Sequence, residues 1–348
     1  MKRIAIIGCG AMGAILGAYM TKAGCDVEMV DTNQPHVDAM NKDGVRVIGL
    51  AEFTQPVKAI TPDQMSGIYD LTILLTKQMA NKAVLTHLVK FMNDDSVVCT
   101  LQNGVPEPDV AAYVGEKRTV GGATNWSATY EGPGICNLTT NIAIAQYLFE
   151  IGEVDGQITP RIEKISELLG HMGTAKITDT LMASRWGKLV FNTAVSGLSA
   201  VCGITFGEVV TDPVSRACCS YIGREVKKCC EAEGYALPPV AGVVPMDSLD
   251  LVDQEMFEAN QKLFQMMGMF LKDGKASMLQ DLEKGLETEV GVINGHVSMV
   301  GDKYGFETPF NDKVVEVVRR IEKGEITCSP DNMKYFHPEN FEFQILAE

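Results

Sequence analysis

The sequence predicts an α/β chain in two parts: strands alternating with helices over a parallel sheet, then an all-α domain. Three observations predict this. Short apolar runs alternate with helical stretches up to about residue 179. A glycine-rich turn, Gly8-Cys9-Gly10-Ala11-Met12-Gly13, joins the first run to the first helix. Past residue 180 the strand signals stop and apolar positions recur at helical spacing. The expected boundaries are 1–179, 180–326 and a C-terminal extension over 327–348. At about 150 residues per domain, 348 residues suit two domains and an appendage.

The elements follow in order. Residues 4–7 are apolar and largely β-branched, as in a fully buried parallel strand. Residues 14–23 read as a helix stopped by Gly24, and 27–30 as a second strand ending at Asp31. Strand, glycine turn, helix, strand and acid within about 30 residues form the Rossmann-type dinucleotide-binding pattern. The first glycine allows the tight turn and the second lets a pyrophosphate approach the backbone. The third lets helix and strand pack closely, and the helix N-terminus faces the anion. Asp31 would accept from the adenosine ribose hydroxyls and repel a 2′-phosphate. Thr32-Asn33-Gln34 follows without a basic side chain, so NAD is favoured over NADP. A helix N-cap or turn aspartate is the plainer reading of Asp31.

Further units follow: a strand over 71–75 ending at Thr76-Lys77-Gln78, a helix over 80–92, and a strand over 96–101 ending at Gln102-Asn103-Gly104. Ligands bind beyond the carboxyl ends of such strands, which places Lys77 and Asn103 near a cofactor. A solvated loop lysine and a simple turn are the alternatives. Residues 119–130 and 135–145 read as strands around the turn Glu131-Gly132-Pro133-Gly134.

Residues 181–201 read as one long buried helix, apolar nearly all round. Yet Arg185, Lys188, Asn192, Ser196 and Ser199 recur at three and four. Lys188, Asn192 and Ser196 stand on successive turns, lining a polar cleft or else an exposed face with a snorkelling lysine. Ser277 with Gln280 reads as a capping box opening a helix whose stripe is Leu279, Leu282, Leu286, Val290 and Ile293. Glu289 falls at the edge of that stripe, a candidate functional acid or a surface ion-pair partner.

Composition sets the limits. A net charge of −15 argues against a nucleic-acid partner and against docking on an anionic membrane. No stretch reaches the ~18 uninterrupted apolar residues of a membrane span. The glycines within the apolar N-terminus argue against a secretory signal. Ten cysteines without a C-x-x-C, two pairs of them adjacent, read as reduced, mostly buried thiols of a cytoplasmic protein. Five scattered histidines leave no case for a metal.

These motifs together resemble the ketopantoate reductase (2-dehydropantoate 2-reductase) family from Lys2 to about Gly324. The resemblance rests on the glycine turn, Gln102-Asn103-Gly104 and Trp186-Gly187-Lys188-Leu189-Val190-Phe191-Asn192. It continues through Ser277-Met278-Leu279-Gln280-Asp281, Thr288-Glu289, Ile293-Asn294-Gly295 and Thr308-Pro309-Phe310-Asn311. It implies that Lys188 is the general acid, that Asn192 binds substrate and that Ser277 holds the substrate carboxylate. It implies that Glu289 binds the substrate hydroxyl and orients the lysine, that Asn103 lies between nicotinamide ribose and substrate, and that Lys77 lies near the cofactor.

Two departures lean toward the family's NAD-dependent D-2-hydroxyacid dehydrogenases of the D-mandelate type. Ser196 stands where pantoate-forming members usually carry a second asparagine, and Asp31-Thr32-Asn33 where many carry a basic residue. The expected reaction is NAD(P)H-dependent reduction of a 2-oxo acid, 2-dehydropantoate to (R)-pantoate first and a D-mandelate-type reaction as the alternative. A dinucleotide-sensing protein is the non-enzymatic alternative. The helical domain could form a homodimer.

Overall fold

A computed structural model describes residues 1–240, 244–269 and 271–345. The chain gathers into two compact units, Met1–Leu181 and Met182–Glu348.

The first unit opens on β1 (Arg3–Ile7), α1 (Ala11–Lys22) and β2 (Asp26–Val30). Past its first residue each of these strands is buried, so the runs do not alternate as a half-exposed strand would. The polar exception is Glu28, whose carboxylate is held by Arg3, Lys58 and Tyr69. α2 (Gln34–Asp43), β3 (Val45–Gly49), β4 (Phe53–Gln55), β5 (Lys58–Ile60), β6 (Leu71–Leu74), α3 (Asn81–Leu88), β7 (Val97–Thr100) and α4 (Glu107–Val114) follow. The unit closes with β8 (Thr119–Thr124), β9 (Ala128–Gly132), β10 (Ile135–Leu138), β11 (Phe149–Glu153), α5 (Pro160–Leu169) and β12 (Ala175–Ile177).

Eight strands form the main sheet in the order β12-β11-β8-β7-β6-β1-β2-β5. From β5 to β8 all neighbours are parallel, and β11 pairs antiparallel to β8. The chain runs outward from β1 through β2 to β5, then returns to β6 on the other side of β1. That reversal falls between β1 and β6, and the space beyond their carboxyl ends is the ligand position of such sheets. A smaller sheet, β4-β3-β10-β9, packs on α1.

Two strand expectations need correction. Residues 119–130 are not one strand. Thr119–Thr124 is wholly buried between β7 and β11, whereas β9 is only half-buried and belongs to the smaller sheet. The strand expected over 135–145 stops at Leu138, where its partner β3 also ends.

The second unit is helical: α6 (Leu181–Phe191), a π-helical turn (Asn192–Ser196), α7 (Gly197–Cys202), α8 (Phe206–Thr211), α9 (Pro213–Ala232), α10 (Gln254–Met269), α11 (Ser277–Glu283), α12 (Val290–Tyr304) and α13 (Pro309–Glu322). The expected helix over 181–201 is present as a helical run, but with a π turn at its centre. The stripe from Leu279 to Ile293 does not lie on one helix. α11 ends at Glu283, Gly285 takes the left-handed φ of 66°, and Leu286 is exposed.

Residues 327–345 pack on this unit. Asn332 donates to the carbonyls of Val201 and Thr327, both at 2.9 Å. Phe341, Phe343 and Ile345 lie on a core of Tyr221, Leu251 and Phe257, and the Phe343 N–H donates to the Tyr221 hydroxyl at 3.0 Å. Phe341→Ala removes ring contacts to Tyr221 and Phe310 and is expected to lower stability by about 2 kcal/mol, read by thermal unfolding. All ten cysteines are free thiols; Cys25 and Cys328 are half-buried and the other eight are buried. Burial pushes the Cys136 and Cys229 thiols up to about 12 and that of Cys9 well above its ordinary value.

Candidate active site

In the first unit the predicted cofactor residues lie at one end of the main sheet. Gly8 through Gly10 fill the turn from β1 into α1, and Gly13 lies in the first turn of that helix. Gly8 takes φ 92°, and a side chain there would meet the Thr76 backbone nitrogen at 2.5 Å. A Cβ on Gly13 would lie 2.3 Å from the Gly8 carbonyl oxygen, so only glycine lets α1 pack this close to the strand end. Gly10 differs: a Cβ there meets nothing within 4 Å. Its glycine leaves room for something other than protein. No side chain caps α1 and no acid stands in its first turn, an N-terminus suited to a phosphate. Ala11 and Met12 open that helix, and Cys9 is buried with its thiol on the Ile6 carbonyl.

Asp31 directly follows β2. Its Oδ1 accepts from the Asn33 N–H at 2.9 Å, and Asn33, not Asp31, is the N-cap of α2. Among the described residues no hydrogen bond engages Oδ2, the oxygen available to a ribose. Lys77 follows β6 and Asn103 follows β7, at the same end of the sheet. Their loops are cross-braced. The Gln78 side chain donates to the Asn103 carbonyl, and Gln102 Nε2 donates to Thr76 O at 2.8 Å and to Asn81 Oδ1 at 2.7 Å. These residues fit a dinucleotide: a pyrophosphate over Gly10 and the α1 N-terminus, and a ribose at Asp31.

In the second unit Lys188 lies on α6, one turn before the π segment that carries Asn192 and Ser196. Burial and the Arg185 guanidinium lower the Lys188 pKa from 10.5 to about 8, opposed by the charge of Glu289. Neither the Asn192 nor the Ser196 side chain has a hydrogen-bonding partner among the described residues. Side chains four apart on an α-helix drift by about 40° per step, so Ser196 would stand about 80° round from Lys188. A π turn takes in one more residue per turn and pulls Ser196 back toward that line.

Glu289 is buried, but not as the edge of a helical stripe. It is the N-cap residue of α12, in a turn pinned by Thr288, whose N–H and hydroxyl both donate to Glu322 at 2.8 and 2.7 Å. Ser277 is exposed and does not cap α11. Ala276 is the N-cap and Ser277 the first helical residue, with no side-chain cap hydrogen bond. The Ala276 N–H lies 3.4 Å from the buried Ser199 hydroxyl, which ties this helix start to α7. Thus Lys188, Asn192, Ser196, Ser277 and Glu289 share one unit and the glycine turn, Asp31, Lys77 and Asn103 share the other. Among the described residues no group of three or more His, Cys, Asp or Glu could hold a metal ion, and no helix is long and apolar enough to cross a membrane.

The sequence model described as Ketopantoate reductase PanE/ApbA matches residues 4–153, and its C-terminal counterpart matches residues 180–322. The chain belongs to the ketopantoate reductase family. A 2-dehydropantoate 2-reductase of Archaeoglobus fulgidus is 28% identical over 325 residues, 93% of this chain and 99% of that one. Among solved structures, a D-mandelate dehydrogenase with NADH and anilino(oxo)acetate is similar at TM-score 0.79 and 25% identity, covering 92% of this chain and 99% of that one. A 2-dehydropantoate 2-reductase from Geobacter metallireducens is similar at TM-score 0.76 and 26% identity, covering 91% and 99%.

Within this ketopantoate reductase fold, sequence reasoning left four buried residues without a role. Arg185 was visible only as a member of the polar stripe, yet it is 2% exposed beside the lysine. His36 is buried between the glycine turn and the β9–β10 hairpin: Nε2 meets the Cys9 carbonyl at 2.8 Å, and Nδ1 accepts from the Gly134 N–H at 2.9 Å. Nothing in its local sequence marks it. Asn294 and Asn311 stood in family motifs without a role, and their partners lie far away in sequence.

Proposed function

We propose that the protein reduces a 2-oxo acid to a 2-hydroxy acid with NAD(P)H, 2-dehydropantoate to (R)-pantoate being the first candidate reaction. The observation that carries this is Lys188, a lysine brought to a pKa of about 8 beside the charge of Glu289. Such a lysine is charged at neutral pH yet near enough to working pH to give up its proton. Bound at the glycine turn, a reduced nicotinamide dinucleotide supplies the hydride for C2. Lys188 Nζ donates its proton to the C2 oxygen as negative charge develops there. Glu289 holds the ammonium in place and binds the new hydroxyl. Ser277 and Asn192 hold the substrate carboxylate, and Ser196 borders the side-chain pocket. Lys77 and Asn103 take the nicotinamide side of the cofactor. Free thiols in this number suit a reducing compartment, the cytoplasm.

Asp31 and the absence of a basic side chain at Thr32-Asn33-Gln34 favour NADH over NADPH. Asp31→Ser combined with Thr32→Arg is expected to shift the NADPH-to-NADH ratio of kcat/KM by about 100-fold, through lost repulsion and a new charge-assisted contact. An unchanged ratio would remove Asp31 from the site. The same two features, Asp31 and Ser196, favour a second reading, a D-2-hydroxyacid dehydrogenase of the D-mandelate type.

The test is NADH and NADPH oxidation against 2-dehydropantoate, phenylglyoxylate and branched 2-oxo acids. Preference for 2-dehydropantoate supports the first reading and preference for phenylglyoxylate the second. No turnover of any 2-oxo acid, with NADH still bound, would leave a dinucleotide sensor.

A further inference from the structure

The π turn at Asn192–Ser196 needs a cause, because an extra residue in a helix leaves carbonyls without their usual donors. Side chains serve them here. The Thr193 hydroxyl, fully buried, donates to Leu189 O at 2.8 Å and lies 3.2 Å from Val190 O. The carbonyl of Thr193 itself accepts from Asn294 Nδ2 on α12 at 3.1 Å. Asn294 is also fully buried, and its Nδ2 donates in addition to Asn311 Oδ1 on α13 at 3.0 Å. Asn311 Nδ2 in turn donates to a carboxylate oxygen of Glu225 on α9 at 2.7 Å. Glu225 further accepts from the backbone N–H groups of Phe310 and Asn311, both at 2.9 Å, at the start of α13.

The chain of bonds has a direction. Both Glu225 oxygens already accept backbone N–H groups, so Glu225 takes the Asn311 amide nitrogen and turns Asn311 Oδ1 toward Asn294. Asn294 must then present its nitrogen, and the same nitrogen reaches Thr193 O. The fit is close: a Cβ on Gly197, the first residue of α7, would lie 3.1 Å from Val314 and 3.4 Å from the Asn294 amide.

We propose that Asn294, oriented through Asn311 by Glu225, is a positioning residue that sets the π turn and so keeps Asn192 and Ser196 in line with Lys188. This rests on the reading of Asn192 and Ser196 as the substrate side of the site. Three helices distant in sequence thereby determine one turn, and the family motifs around Asn294 and Asn311 acquire a physical role.

The test is Asn294→Asp, which keeps the shape and removes both donated bonds, with Thr193→Val as a milder change to the same turn. Both are made in the full chain. The expected result is a rise of about tenfold or more in KM for the 2-oxo acid, with KM for NADH within about twofold of wild type. Amide exchange over residues 192–202 should speed up while α9 and α13 keep their protection. Unchanged substrate KM in both variants would overturn the proposal, as would faster exchange spread evenly over all helices. If Asn294→Asp does not fold, Thr193→Val decides by the same readouts. If the wild type turns over no 2-oxo acid, the functional reading fails by itself. The exchange comparison then still decides whether Asn294 sets the turn: faster exchange confined to 192–202 supports it, and unchanged exchange overturns it.

Discussion

Replacing Lys188 by alanine is expected to lower the rate of 2-oxo acid reduction by on the order of 100-fold or more, the loss of a general acid. The pH profile identifies the group. A general acid must be protonated before the hydride moves, so on this reading the wild-type rate should fall as pH rises through about 8, the pKa to which burial and Arg185 bring Lys188. The variant should show no such limb. Residual turnover within a few-fold of wild type would remove Lys188 from the mechanism.

The same shift predicts a stability effect of opposite sign. Folding lowers the pKa from 10.5 to about 8, so between those values the unfolded chain binds more protons than the folded one. Wild-type stability should therefore rise with pH across that window, while the full penalty stands below it. The penalty is at most about 3 kcal/mol, with the attraction of Glu289 already included. Lys188→Met keeps the aliphatic stem and removes the charge. It should unfold at a higher temperature than wild type at pH 7, with the gap closing toward pH 10. A charge held for catalysis at the expense of stability would be the usual trade of an active site.

The second large effect separates glycines that look alike. Gly10→Ala adds a Cβ into open space, so its thermal midpoint should stay at the wild-type value. Its affinity for NADH, followed by fluorescence titration, should fall roughly 10- to 100-fold as charge-assisted contacts to the pyrophosphate are pushed apart. Gly13→Ala puts the same Cβ 2.3 Å from the Gly8 carbonyl oxygen, where only backbone can yield. It should lose on the order of 3 kcal/mol of stability before any cofactor is added. Wild-type NADH affinity in Gly10→Ala would mean that the phosphates do not lie over this turn.

What the sequence made legible was local. The glycine spacing named the turn because Gly8 answers to the adjoining strand end and Gly13 to a carbonyl five residues away, while Gly10 faces open space. The recurrence of Lys188, Asn192 and Ser196 placed them on successive turns of one helical run because helical period is a near-neighbour property, but their alignment depends on the π turn. Ser277 does stand at a helix start, but it does not cap it, and Glu289 stands ahead of α12 rather than inside the helix that opens at Ser277. The Ser277–Gln280 spacing suited a capping box, yet Ala276 takes the cap because the start of α11 is tied to the Ser199 hydroxyl, 77 positions away. The apolar spacing through Leu286 suited one helix, but Gly285 turns the chain and frees Glu289 to stand ahead of α12. The π turn was beyond reach altogether, because the amide that serves its carbonyl is 101 residues downstream. His36 escaped for the same reason, since the N–H it accepts from is 98 residues away.

The eight sealed thiols give the protein a built-in gauge of its own opening. A thiol reacts as thiolate, and burial both shields these sulfurs and suppresses their ionisation. An alkylating reagent added to the native protein should therefore mark Cys25 and Cys328 first, and the rest only as fast as the surrounding structure breathes. Cys9 sits inside the glycine turn itself, so its labelling rate times the opening of that turn. Slower labelling of Cys9 in the presence of a dinucleotide would report binding by protection, without any substrate being known.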